Sequence, residues 1–317
     1  MSERSEKEHS LVSVIIPSFK MGQFIGEALD SVGAQTYPHW EVIVVDDAGP
    51  EDGTRAAVEA FAAKYTGHRV EYIQHDTNQG VSVARRTAFE VARGEYIAFL
   101  DADDVFIPEK LAKQAAILEQ ESDVVLVHGP VMEGGEWGAS SVGSEIFDLG
   151  SADLSYNLWD SAECLVGNRI CNSTVVCRRT CIRSSDFPLG MVFQYEDWML
   201  WLLMGSRGRF KYAQTRTARY RYHFESYSAG SQRREGQHEM AQVEMLLALF
   251  SRLESRIMRH AVTDRLVLLL AETMAAKEAM LLRPVSAAPG FRWSVARASA
   301  SQELRRLGRR LRQIAGL

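Results

Sequence analysis

Along the first half of the chain, short apolar runs alternate with longer stretches in which apolar residues recur every three or four positions. The runs at 12–16, 41–45, 70–74, 96–100 and 124–128 are rich in Val, Ile and Leu and predict strands. The stretches between them, 22–34, 54–64, 81–92 and 108–119, predict helices. The first shows the pattern, with Phe24, Ile25, Ala28, Leu29 and Val32 on one face. Strand and helix in alternation predict βαβ units and a largely parallel sheet flanked by helices. Most of the runs are continuous rather than alternating, as expected when both faces of a strand are covered.

The pattern then loosens. Residues 133–150 shift to Gly, Ser and acidic side chains and predict a mobile loop or a domain seam. Residues 172–177 predict one more strand and 195–204 a helix. From Gln232 onward the chain is nearly all helix former, broken at Pro284 and at the Ala-Pro-Gly of 288–290.

Composition narrows the classes. Of 317 residues, 46% are hydrophobic and 24% charged, which suits a globular chain with a real core. The net charge of −5, with no Lys/Arg-rich tract in the α/β half, gives no reason to expect nucleic acid as a partner. Residues 1–10 are polar and predict a disordered tail rather than a signal peptide or anchor. The apolar stretch 262–282 is interrupted by Asp264, Arg265, Glu272, Lys277 and Glu278 and reads as a packed helix. Cys164, Cys171, Cys177 and Cys181 form no Cys-x-x-Cys pair and read as reduced thiols, which leads to the expectation of a cytoplasmic protein.

In an open parallel sheet, ligands bind beyond the carboxyl ends of the strands. After the first strand come Pro17, Ser18 and Phe19; after the second, Asp46 and Asp47; past the third, Asn78 and Gly80; after the fourth, Asp101-Ala102-Asp103-Asp104. Four strand ends thus bring polar or acidic groups to one rim. Asp101 and Asp103, mutually repulsive when ionised, suit a hard divalent cation, Mn²⁺ or Mg²⁺, bridging a diphosphate. The plain alternative is that Asp103 and Asp104 cap the helix near Pro108. Asp46 and Asp47 fit either a turn or a hydrogen bond to a nucleobase, and Arg85 either a phosphate contact or a solvated surface. Walker and dinucleotide-fingerprint glycine patterns are both absent from the sequence.

The segments Ser13-Val-Ile-Ile-Pro17-Ser-Phe19, Ser31-Val32…Gln35-Thr36-Tyr37, Glu41-Val-Ile-Val-Val-Asp46-Asp47, Asn78-Gln-Gly80…Ala84-Arg85 and Gly94-Glu-Tyr-Ile-Ala-Phe-Leu-Asp101-Ala-Asp103-Asp104 follow in that order. Together, over about residues 11–127, they resemble the inverting glycosyltransferase family 2, with its Rossmann-like GT-A fold. The resemblance implies that Pro17 and Phe19 line a nucleotide pocket and that Asp47 binds the base, commonly uracil, with Asp46 beside it. It places Asn78 and Arg85 near the diphosphate and sugar, Asp101 on the donor, and Asp103 as principal metal ligand, assisted by Asp101. Two positions depart from the pattern. The usual Asp-Asp-Gly-Ser is replaced by Asp46-Asp47-Ala48-Gly49 in a loop one residue longer, and Arg86 replaces a frequent asparagine.

An inverting enzyme needs a carboxylate to take the acceptor's proton. Glu196-Asp197 resembles the family's Glu-Asp pair, with Asp197 as general base and Glu196 positioning the acceptor; first-turn acids favoured by the helix dipole are the plain alternative. Tyr220-Arg221-Tyr222-His223 resembles the family's basic segment over the donor, with Arg221 toward phosphate and His223 toward the metal. The expected organisation is a tail at 1–10, a GT-A domain at 11–230 with its nucleotide-sugar half at 11–130 and acceptor half at 131–230, and a helical extension at 231–317.

Residues 291–317 hold seven arginines against one glutamate, with Leu304, Leu307, Leu311 and Ile314 at helical spacing. Such a helix suits the inner face of an anionic membrane, or packing within the protein or a homodimer. The expected partners are therefore a nucleotide-diphosphate sugar and a glycan, lipid-linked or protein acceptor. A catalytically silent sugar-nucleotide binder, a scaffold of a polysaccharide complex and a polyprenyl-phosphate sugar synthase are the competing readings.

Overall fold

The computed structural model describes residues 10–132, 154–160, 162–189, 195–221 and 237–282. The first half follows the sequence pattern: β1 (Val12–Ser18), α1 (Ile25–Gly33), β2 (Trp40–Asp46), α2 (Thr54–Lys64), β3 (Val70–Gln74), α3 (Val81–Val91) and β4 (Tyr96–Phe99). Then come β5 (Val105–Phe106), α4 (Lys110–Gln120), β6 (Val124–His128), β7 (Val131–Met132) and β8 (Leu154–Tyr156). A 3-10 turn, Asn172–Thr174, leads into β9 (Val176–Arg178). After it lie α5 (Glu196–Gly205), β10 (Arg209–Tyr212), β11 (Ala218–Arg219), α6 (Gln237–Arg252) and α7 (Arg256–Leu282).

Eight strands form one sheet in the order β3-β2-β1-β4-β9-β6-β10-β8. β1 pairs in parallel with β2 and β4, β2 with β3, and β6 with β10. β9 is antiparallel to both β4 and β6, and β8 is antiparallel to β10. The sheet is therefore mostly parallel, and strands from both halves of the chain share it. A second sheet, β5-β11-β7, lies beside it.

Period-two alternation sorts the strand side chains into two cores. Ile15, Ile43, Val45, Ile97 and Phe99 face α3, α5 and α6; Trp201 of α5 meets Phe99 edge-on at 5.3 Å. Val12, Val14, Ile16, Val42, Val44, Ala98 and Leu100 face α1, α2 and α4. From Trp198 to Gly205 every residue of α5 is buried. A helix apolar on all sides is a core helix, and α5 sits between the sheet and α6.

Three expected elements shift. α1 starts at Ile25 because Gly22 is drawn into a turn, its N–H bonded to Asp52 Oδ2 at 2.8 Å. The strand expected from Asn172 starts at Val176, since 172–174 form a turn whose side chains bond the acids after β4. α4 begins at Lys110, two residues after Pro108. Among the described residues no helix is long and apolar enough to cross a membrane. The expected seam at 133–150 and the basic stretch 291–317 fall outside the described residues, as does the expected 1–10 tail but for residue 10.

Candidate active site

The strand order reverses between β1 and β4, so the loops leaving them diverge and open a crevice at their carboxyl ends. Pro17 and Phe19 stand on its β1 side, with Phe19 37% exposed. Asp46 and Asp47, both buried, tie the neighbouring loops together. Asp46 Oδ1 accepts the Gly49 N–H at 2.8 Å and Oδ2 the Tyr72 hydroxyl at 2.8 Å. Asp47 Oδ1 accepts from His75 Nδ1 at 2.7 Å and from the Gln79 N–H at 2.9 Å; Oδ2 accepts the Gly80 N–H at 2.7 Å. Asp47 thereby locks the loop that carries half-buried Asn78 and opens α3. Gly80 caps α3 at φ 94°, a conformation that costs a glycine nothing.

One helical turn into α3, Arg85 is buried, which excludes the solvated alternative for it. Its guanidinium donates to Asp101 Oδ1 at 2.7 Å and to Glu196 Oε1 at 2.6 Å. One cation therefore joins the acid after β4 to the acid that opens α5, 111 residues apart in sequence from Arg85. Asp101 Oδ1 also accepts from Asn172 Nδ2 at 2.9 Å. Ser173 Oγ accepts the Asp101 N–H at 3.1 Å and donates to Asp104 Oδ2 at 2.5 Å.

Asp104 is fully buried, and its other oxygen accepts the Arg221 N–H at 2.9 Å. Burial, with Asp103 and Asp101 adding repulsion, pushes the Asp104 carboxyl well above the usual carboxylate range. The helix-cap alternative fails here: the residue capping α4 is Glu109, without a side-chain cap. Arg221 turns its guanidinium toward the protein, donating to the Asp103 carbonyl at 2.9 Å and Glu27 Oε2 at 2.7 Å while lying 4.7 Å from the Phe24 ring. It holds the acidic loop against α1.

Asp197 accepts from Asn168 Nδ2 at 2.7 Å and from the Trp198 N–H at 2.7 Å. Burial, then the neighbouring Glu196 carboxylate, push its pKa up to about 7 against the pull of Arg85. A carboxylate held near neutrality is matched to proton abstraction.

The rim suits a divalent cation with a diphosphate. Both bonds to Asp101 from Arg85 and Asn172 end on Oδ1, and Asp103 adds a second hard oxygen donor two residues on. Among the described residues no group of three or more His, Cys, Asp or Glu is arranged to hold an ion. Mg²⁺-type sites commonly take one or two carboxylates and draw their other oxygens from substrate phosphates. Polar atoms without a partner also gather here: Ser18 Oγ, Ser82 Oγ, Arg85 Nε and Asn172 Oδ1 are buried and unbonded. Each such atom costs about 1–3 kcal/mol unless a ligand meets it. His223 lies outside the described residues.

Ser18 stands on the rim expected from the strand ends, and Asn168, Asn172 and Ser173 fall in the segment 168–179, which the family resemblance puts on the acceptor side without single roles; Ser82 carries no signal in the sequence. The Asn-Ser-Thr at 172–174 is three polar residues directly before a buried apolar strand.

Comparison with known proteins fits this geometry. Residues 13–170 match the profile of Glycosyl transferase family 2. WfgD of Escherichia coli, a UDP-Glc:alpha-D-GlcNAc-diphosphoundecaprenol beta-1,3-glucosyltransferase, is 31% identical over 194 residues, 61% of this chain and 68% of that one. TuaG of Bacillus subtilis (strain 168), named for teichuronic acid biosynthesis, is 40% identical over 112 residues, 35% of this chain and 43% of TuaG.

Among solved structures, S. aureus TarS 1–349 in complex with UDP-GlcNAc superposes with a TM-score of 0.65 at 19% identity, over 86% of this chain and 76% of that one. Mannosyltransferase PcManGT from Pyrobaculum calidifontis, in complex with GDP-Man and Mn²⁺, gives 0.60 at 18%, over 98% and 85%. The fold is that of the GT-A glycosyltransferases. The chain belongs to glycosyltransferase family 2.

Proposed function

We propose that this glycosyltransferase moves a sugar from a uridine-diphosphate sugar, held with Mn²⁺ or Mg²⁺, to a hydroxyl of a lipid-linked glycan acceptor, with inversion. The observation that carries the reading is the buried Arg85, which joins Asp101 on the donor side to Glu196 beside Asp197. WfgD, a relative named for a UDP-glucose donor and a diphosphoundecaprenol-linked acceptor, supports the choice of substrates. The UDP-GlcNAc complex of TarS and the Mn²⁺ complex of PcManGT support the nucleotide and the metal class.

In this reading Pro17 and Phe19 flank the base, and Asp47 shapes its pocket by fixing the Gln79–Gly80 loop. The α3 N-terminus, with Ser82 and Arg85, faces the diphosphate, where backbone N–H groups and positive charge favour an anion. Asp101 and Asp103 would hold the divalent ion, which when bound supplies Lewis acidity to the departing diphosphate. Asp197, oriented by Asn168, takes the proton from the acceptor hydroxyl as its oxygen bonds the anomeric carbon and the bond to the diphosphate breaks. Glu196, paired with Arg85, positions the acceptor beside that carboxylate.

A thermal-shift panel of UDP, GDP and dTDP sugars with Mn²⁺, Mg²⁺ or chelator tests the donor half, because a ligand of the native state raises the midpoint by mass action. We expect a metal-dependent shift with one UDP sugar that Asp103→Ala abolishes. We also expect Asp197→Asn to keep that shift and lose transfer to acceptor. Transfer surviving in Asp197→Asn would remove it as the base.

A further inference from the structure

The acidic loop after β4 is framed by the Asn172–Thr174 turn, and that turn is gripped from beneath by a buried lysine. Lys110, first residue of α4, is 1% exposed. Its Nζ donates to the Thr174 carbonyl at 2.9 Å and to Gln114 Oε1 at 2.5 Å, and lies 4.8 Å from the centroid of the Phe106 ring. One turn on, Gln114 is fully buried, and its Nε2 donates to the same Thr174 carbonyl at 2.8 Å and to the Val127 carbonyl at 3.1 Å.

The pair thus spans three elements: α4, β6 through Val127, and the turn ahead of β9. Thr174 leads into Val175, whose carbonyl accepts the Phe99 N–H at 3.3 Å as the chain joins the sheet. From the other side of the same turn, Asn172 and Ser173 bond Asp101 and Asp104.

Charge pairing does not account for a lysine in this place. Among the described residues no carboxylate pairs with Lys110, and burial drives its pKa well below that of an ordinary lysine. Apolar side chains of similar volume would fill the same space. What an apolar pair lacks is donors aimed at the Thr174 carbonyl. We propose that Lys110 and Gln114 are positioning residues, which set Asp101 and Asp104 for the donor by fixing the Asn172–Thr174 turn. The consequence for donor binding rests on the proposed function; the anchoring of the turn does not.

The test compares Lys110→Met/Gln114→Leu, which removes both donors but keeps the volume, with Leu118→Ala, which weakens the core on the same helix away from the turn. Residue-resolved amide hydrogen exchange is read first, since it reports local opening. We expect the Phe99, Asp101 and Val175 amides to exchange about tenfold faster in the double variant, with β1 and β2 unchanged and no such change at those amides in Leu118→Ala. Mn²⁺-dependent UDP binding is read second, by calorimetry. An affinity loss of about tenfold confined to the double variant, with donor KM raised and acceptor KM kept, is the expected result. Wild-type exchange at Asp101 and Val175 in the double variant overturns the proposal, whatever the binding shows. If the wild-type protein binds no UDP with Mn²⁺, the proposed function falls, and the exchange comparison still decides the anchor.

Discussion

At the scale of single residues, Asp197 carries the sharpest expectation. A general base works deprotonated, and burial holds this carboxyl near 7, so kcat/KM should climb with pH and level off above about 7. Arg85 pulls that value down. Arg85→Met should therefore move the inflection to higher pH, and a pH–rate profile of both proteins measures it. An unmoved inflection would detach Arg85 from the base.

Ala48 offers a second test. It stands where the family pattern has glycine, and its φ is 58°, in the left-handed region. A non-glycine residue there costs about 1–2 kcal/mol, against about 0.5–1 kcal/mol for the extra freedom a glycine loses on folding. Ala48→Gly should then raise stability by about 0.5–1 kcal/mol, readable by urea denaturation.

At the scale of elements, α5 is the helix buried on all sides, between the sheet and α6. Trp201 is 1% exposed against Phe99, so Trp201→Ala should cost about 3–5 kcal/mol, measured by denaturant unfolding. The elements that could be read from sequence are those whose side chains all answer to one demand. β1, β2 and β4 are buried on both faces and show it as unbroken apolar runs at 14–16, 42–45 and 96–99. β9 answers to two. In its approach Asn172 and Ser173 serve the acids, while Val175, Val176 and Cys177 serve the core, so a strand expected at 172–177 starts four residues late.

The site was legible to the same extent. Asp101, Asp103, Glu196 and Asp197 stand at element ends where a strand or helix pattern points to them, and Arg85 stands one turn into α3. Asn168, Ser173 and Lys110 do not, because their roles come from partners 29, 69 and 64 positions away. The internal bonds of Asp47 and Arg221 were hidden for the same reason: nothing local in either sequence context marks the loops they hold.

At the scale of the molecule, the basic stretch 291–317 bears on where the acceptor is met. Basic amphipathic helices bind anionic bilayers through charge and buried apolar area. The full chain should sediment with anionic liposomes and a 1–290 truncation should stay in the supernatant; equal behaviour of the two would remove that contact. The antiparallel β9, seated between β4 and β6, has a consequence for how such enzymes diversify. A recombination that exchanged everything after residue 132 would swap acceptor preference only by replacing a strand from the middle of the donor sheet. Its incoming Asn-Ser-Thr equivalent would have to fit a foreign acidic loop and a foreign lysine at once. Crossovers after Arg178 would keep the Asn-Ser-Thr turn with its own acids and lysine, and chimeras joined there should keep nucleotide binding where the incoming part supplies equivalents of Glu196 and Arg221.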